Sequence, residues 1–168
     1  MEGNLLIQEL EYGAQLINQL ANGFSPEEAR IRPHPESWSV LEVVCHLYDE
    51  EREDFRQRLD IILHNPSQAW PRIDPQGWVT TRLYHERDMD EMLESFLEER
   101  QRSLAWLRGL SPDWEVVYQA PFGEIKAGDM FAAWVAHDGL HARQLVELRR
   151  ARLERWVKPY DPQYAGDW

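Results

Sequence analysis

The chain has 168 residues, 43% of them hydrophobic and eight of them Trp, which is enough for one domain with a packed interior and too few for two ordinary ones. Thirty acidic against eighteen basic residues leave a formal charge of -12, which repels phosphate backbones and anionic bilayers and argues against nucleic acid or a membrane as partner. Cys45 is the sole cysteine, so an internal disulfide and a thiolate-rich metal cluster are both excluded, and any metal must be held by His and carboxylates.

The opening stretch MEGNLLIQELEYGAQL carries glutamates in place of a basic segment, and no run approaches the ~18 apolar residues of a membrane span, so a soluble, cytoplasmic protein is expected. Leu6, Leu10, Leu16, Ile17 and Leu20 recur at helical intervals before Gly23, which predicts a first helix over roughly residues 4 to 22. Ser25-Pro26-Glu27-Glu28 then places a capping hydroxyl, a first-turn proline and two acids ahead of a short helical piece that must end before Pro33. Ser39 and Glu42 form a capping box that opens a second long helix. Its apolar stripe runs Leu41, Val44, Tyr48, Phe55, Leu59 and Ile62, and it ends near His64-Asn65-Pro66.

Residues 66 to about 84 hold three prolines and a glycine without sustained periodicity, and read as an ordered loop anchored by Trp70 and Trp78. Met89, Leu93, Phe96, Leu97, Leu104 and Leu107 predict a third helix from about Glu86 to Arg108, stopped at Gly109. The run WEVVYQAPFGEI between Trp114 and Ile125 allows a short hairpin. A fourth helix runs from Asp129 to Trp156, and the tail at 158–168 is aromatic but broken by Pro159 and Pro162. Four amphipathic helices with long connections predict an all-α fold, a four-helix bundle in a single domain over residues 1–168 with its core at about 5–155.

The fourth helix carries His137 and His141, one turn apart. At about 100° per residue they lie about 40° apart, and Met130, Trp134, Leu140 and Gln144 fall within about 60° of His137, so the pair is expected to face inward. Two imidazoles on one face can point at one divalent metal ion, yet two ligands do not complete a zinc-type shell, and core imidazoles fit the spacing equally well. Asp138 stands where the HExxH motif needs its glutamate, which sets the protease reading aside. His34 lies in a proline-flanked loop, and His64 and His85 lie at helix ends. That leaves His46, in the middle of the second helix, as the best-placed third ligand.

Periodicity opposes this choice. His46 shares its sector with Glu42, Asp49, Glu50 and Glu53, which reads either as a solvated acidic face or as the lining of a cavity wedged between neighbours. Tyr48 and Cys45 read as core residues.

Trp38-Ser39-x-x-Glu42-x-x-x-His46-Leu47-x-x-Glu50 at the start of the second helix, together with His137-x-x-x-His141-x-x-Gln144 in the last, resembles the DinB-like (YfiT-like) family of bacterial four-helix bundles. The likeness covers roughly residues 5 to 155. It implies a divalent metal, nickel or zinc first and manganese or iron after them, held by His46, His137 and His141. It also implies a thiol-dependent enzyme, an S-transferase using a low-molecular-weight bacterial thiol or a maleylpyruvate isomerase; a hydrolase acting on a small molecule is the other expectation, and a homodimer is expected on either reading. Three neutral His ligands leave coordination positions open, which suits a catalytic site. Glu50, about 40° from His46, is the candidate catalytic base or extra ligand, with a solvated glutamate as its plain alternative. Gln144 is placed to bond His141 or substrate. The competing reading for the whole chain is a non-catalytic helical dimer or partner-binding protein whose histidines are structural.

Overall fold

A computed structural model describes residues 2–166. Helix α1 (Gly3–Ala21) ends in a turn where Gly23, at φ +79°, takes the left-handed conformation that a side chain resists. A capping exchange comes next: Ser25 Oγ accepts from Glu28 N–H (3.2 Å) and Glu28 Oε2 accepts from Ser25 N–H (3.1 Å), which secures a 3₁₀ turn at Glu28–Arg30. The capping box at Ser39 forms as the sequence dictates. Glu42 N–H donates to Ser39 Oγ (3.3 Å), Ser39 N–H donates to Glu42 Oε2 (2.8 Å), and α2 (Val40–Glu50) begins there.

The second long helix is real but interrupted. Between α2 and α3 (Arg56–His64) the chain makes a π-helical stretch, Glu51–Phe55. One extra residue in a turn rotates the rest of the helix by about 100°, so the apolar stripe of Phe55, Leu59 and Ile62 is not the continuation of the stripe before it.

The expected loop at 66–84 contains more structure than its prolines suggest. Asp74 Oδ1 accepts from Gly77 N–H (2.9 Å) and Pro75 occupies the first helical position, so α4 (Pro75–Thr81) forms, with a 3₁₀ turn after it at Tyr84–Glu86. Trp78 is buried, and Trp70 stacks on Tyr118 at 4.5 Å between ring centroids, so both tryptophans anchor the connection. Helix α5 (Met89–Arg108) starts three residues later than expected because Asp88 caps it. Strands β1 (Val117–Ala120) and β2 (Gly123–Lys126) pair antiparallel, with Tyr118 opposite Ile125. Asp129 is not the first residue of α6 (Ala127–Trp156); its carboxylate caps the helix by accepting from Lys126 N–H at 3.0 Å.

α1 packs against α5 and α6, and α2 against α5, which gives the all-α four-helix bundle with its small hairpin before the last helix. Its core falls into two apolar clusters, one around α2 and the N-terminal half of α5, the other around α3, the hairpin and the start of α6. An ionic layer crosses the bundle at mid-height. Arg100 pairs with Glu51 at 2.8 and 2.9 Å and with Asp138 at 2.6 and 2.9 Å, and donates a further bond to the Leu10 carbonyl at 2.8 Å. Trp134 Nε1–H donates to Glu51 (2.9 Å), so this layer touches every long helix. A Cβ at Gly13 would collide with the Asp138 carboxylate, and a side chain here is excluded by that close approach of α1 to α6. No helix among the described residues is long and apolar enough to cross a membrane.

Candidate functional site

α2 is buried almost all round from Val40 to Leu47, and most of the acids on its polar side are met by arginines, from the next turn or from other segments of the chain. Arg32 pairs with Glu42, Arg82 and Arg52 with Asp49 and Glu53, and Arg100 with Glu51. The acidic face is therefore not solvated. With its charges neutralised, this side of α2 can be covered, and His46 is left 5% exposed inside the bundle.

The buried stripe of α6 is centred on Asp138, with Phe131, Trp134, Ala142 and Leu145 along it. His137 and His141 lie half-buried on its flank, and Leu140 is exposed, so the pair does not face the bundle centre as the wheel implies. They turn toward α2. Nε2 of His137 lies 3.4 Å from Nε2 of His46 and 3.1 Å from Nε2 of His141. Potential ligand atoms of all three lie within 4.8 Å of one another, the one such group of three or more among the described residues.

Aromatic walls hold the rings in place. Trp38 packs on His46 at 4.8 Å and stacks parallel to His141 at 6.4 Å, while Phe55, delivered by the π-helical stretch, packs on His137 at 4.9 Å. His141 Nδ1–H donates to Gln144 Oε1 (2.9 Å), which leaves the Nε2 lone pair of His141 directed at the other rings. Burial pushes the His46 ring down to about 3, aided by His141, and pushes His137 down to about 2, aided by His141, His46 and Arg100. His141 is lowered too, by burial against the opposing effect of Gln144. Three neutral imidazoles with converging lone pairs result.

The cluster opens on a cleft of about 520 Å³ lined by Trp38, Gln76, Leu140, Arg143, Gln144 and Glu147. A further space of about 610 Å³ shares Trp38, Gln76, Gln144 and Glu147 with it. Gln76 comes from α4, a helix inside the stretch whose composition suggests only a loop.

Residues 9–145 match the family model of the DinB superfamily. The chain belongs to the DinB superfamily. Among solved structures, YfiT from Bacillus subtilis, described as a probable metal-dependent hydrolase with an unusual four-helix bundle topology, is similar with a TM-score of 0.78 and 22% identity, over 89% of this chain and 86% of that one. No curated protein sequence matches significantly.

In this DinB-superfamily chain Glu50 does not join the histidines. Its carboxyl is buried against Asp54 on the next turn, with Oε1 unpartnered, and burial first and Asp54 second push it up to about 8. His64 and His85 are exposed and engage Asp60 and Glu86, as residues at helix ends do. Cys45 is fully buried, and Tyr48 is half-buried beneath the Arg52 guanidinium at 4.4 Å. Helical-wheel reasoning does not find the ring supports Trp38 and Phe55 or the ionic layer at Asp138.

Proposed function

We propose that the chain is a metal-dependent enzyme acting on a small molecule, with His46, His137 and His141 as the ligands of one divalent ion. The observation that carries this reading is the Nε2 convergence. Two ligands with bonds of about 2.0 to 2.1 Å lie about 2.9 Å apart at a right angle and about 3.4 Å apart at the tetrahedral angle, which brackets the separations of 3.1 and 3.4 Å found here. The donor set also fits: neutral imidazole suits nickel, zinc and iron, and a tautomer fixed by Gln144 needs no reorientation.

An ion in that position supplies Lewis acidity, polarising a substrate oxygen or activating water or a thiol as nucleophile. The chain's residues provide the rest. Trp38 and Phe55 exclude water from two sides of the rings, Gln144 holds the His141 proton at Nδ1, and the cleft beside Gln76 and Arg143 admits substrate from solvent. Hydrolysis is the favoured reaction because a three-His shell leaves positions open and because YfiT is described as a probable hydrolase. Thiol S-transfer is the second reading, in which a low-molecular-weight thiol would replace water as the nucleophile.

The deciding experiment is metal analysis of untagged protein, followed by loading with nickel, zinc and manganese. One equivalent bound by the wild type and lost in His137→Ala supports the site; failure to load any of the three ions overturns it. Chelator-sensitive turnover of small esters and amides, with and without a low-molecular-weight thiol, then separates hydrolysis from transfer.

A further inference from the structure

A second pocket lies on a different face of α2 from His46 and shares no lining residue with the histidine cleft. It encloses about 340 Å³ between α2, the π-helical stretch and the segment that leads into α5, and Arg52, Arg82 and Arg87 all line it. In a chain of net charge -12, three guanidinium groups around one small cavity call for a reason.

Two carboxylates answer part of that charge. Asp49 Oδ1 accepts from Arg52 (2.9 Å), and its Oδ2 accepts from the Tyr84 hydroxyl (2.7 Å) and lies 2.8 Å from Arg82 Nη1. Glu53 accepts from Arg82 through both oxygens, at 2.9 and 2.7 Å, and from Arg52 at 2.6 Å. Three cations against two anions leave one positive charge in surplus, and all four carboxylate oxygens are already engaged.

A set of donors remains to bond a visitor. Arg52 Nε is buried and has no hydrogen-bond partner. Arg87 uses its Nε on the Arg82 carbonyl (3.3 Å) and lines the pocket. Cys45, fully buried, lines the same pocket. The donors are also held in place before any ligand arrives: Arg52 stacks on Tyr48 at 4.4 Å and Arg82 on Trp78 at 4.0 Å. Arg30 pins the segment through the carbonyls of His85 (3.0 Å) and Arg87 (2.7 Å). Leu83, at φ +51°, is the one non-glycine described residue in the left-handed region, and it lies between Arg82 and Tyr84, which both face the pocket.

We propose that this pocket binds a small oxyanion, a phosphoryl group or a carboxylate on a short stem, gripped by Arg52 and Arg87. The volume lies at the small end of the range of ligand pockets and accommodates such a molecule. Such a ligand completes a cross-link between the π-helical stretch that follows α2 and the entry to α5. The site does not depend on the metal reading.

The test uses metal-stripped protein at fixed ionic strength, titrated by calorimetry with inorganic phosphate, glycerol phosphate and succinate. Saturable binding with Kd below about 1 mM is expected for at least one of them, with the phosphate and succinate arms telling which oxyanion it is. Arg87→Gln, on an exposed side chain, should weaken that binding by about tenfold or more through loss of a charge-assisted bond. Arg52→Gln serves as a second probe of the same grip. Absence of saturable binding overturns the proposal. So does binding that survives Arg87→Gln and Arg52→Gln, or binding that disappears in His137→Ala, which would place the anion at the histidine cluster.

Discussion

Three histidines held neutral by burial make the metal-free protein sensitive to mild acid, and the size of the effect can be worked from the site. An unfolded His titrates near 6.5, whereas burial holds His46 at about 3 and His137 at about 2 in the fold. The sign is that of a depressed base: the unfolded chain gains protons that the fold refuses, so stability falls as the pH drops below about 6.5. Between pH 7.5 and 5.5 each such His costs about 1.4 kcal/mol, so His46 and His137 together cost about 3 kcal/mol. His141, lowered in the same direction, adds to this. For a domain with a total stability of about 5–15 kcal/mol that is a large fraction. The assay is urea unfolding of chelator-treated protein at the two pH values, for wild type and for a variant with all three histidines changed to Gln. Taking the difference between the two proteins cancels every other titrating group, including the carboxyls. An equal loss in both proteins would show that the rings are solvated or protonated in the fold, and the burial argument for a neutral ligand set would fail.

Other predictions rest on separate observations. Arg100→Met leaves Glu51 and Asp138 buried without their counter-charge and should cost about 3–5 kcal/mol at pH 7.5, read as the urea midpoint. The cost should shrink toward pH 5 as the stranded carboxylates take up protons; a cost that grows on acidification refutes the assignment. Glu50, raised to about 8, favours the fold while protonated and loses that advantage as the pH rises through 8, so stability should drop by about 1 kcal/mol between pH 7 and 9. Glu50→Gln should abolish that drop. Gly13→Ala should lower the thermal midpoint because its Cβ would meet the Asp138 carboxylate, at a cost of about 1–3 kcal/mol.

Local signals are legible where a short stretch decides the outcome. The capping box at Ser39, the stop at Gly23 and the hairpin around Pro121 need only neighbouring residues, and each forms where the sequence places it. Asp74-Pro75 is an equally local cap, but α4 is too short to show periodicity, and the prolines around it suggest a loop instead. The start of α6 is misplaced for a related reason: Asp129 is a cap by its side chain and helical by its backbone.

By itself the sequence determined the four long helical segments, the capping box at Ser39, the bundle and the pairing of His137 with His141. It named His46 only through a family resemblance. Tertiary structure decided that His46 is buried, since the acids beside it are neutralised by Arg32, Arg52 and Arg82, two of them on other segments of the chain, and a wheel cannot register a counter-charge that arrives through space. It also decided which side of α6 faces inward. Asp138, charged and therefore assigned outward by any hydropathy pattern, takes the centre of the buried stripe because Arg100 meets it there, and that rotation sets His137 and His141 on the flank, against His46 and open to the cleft.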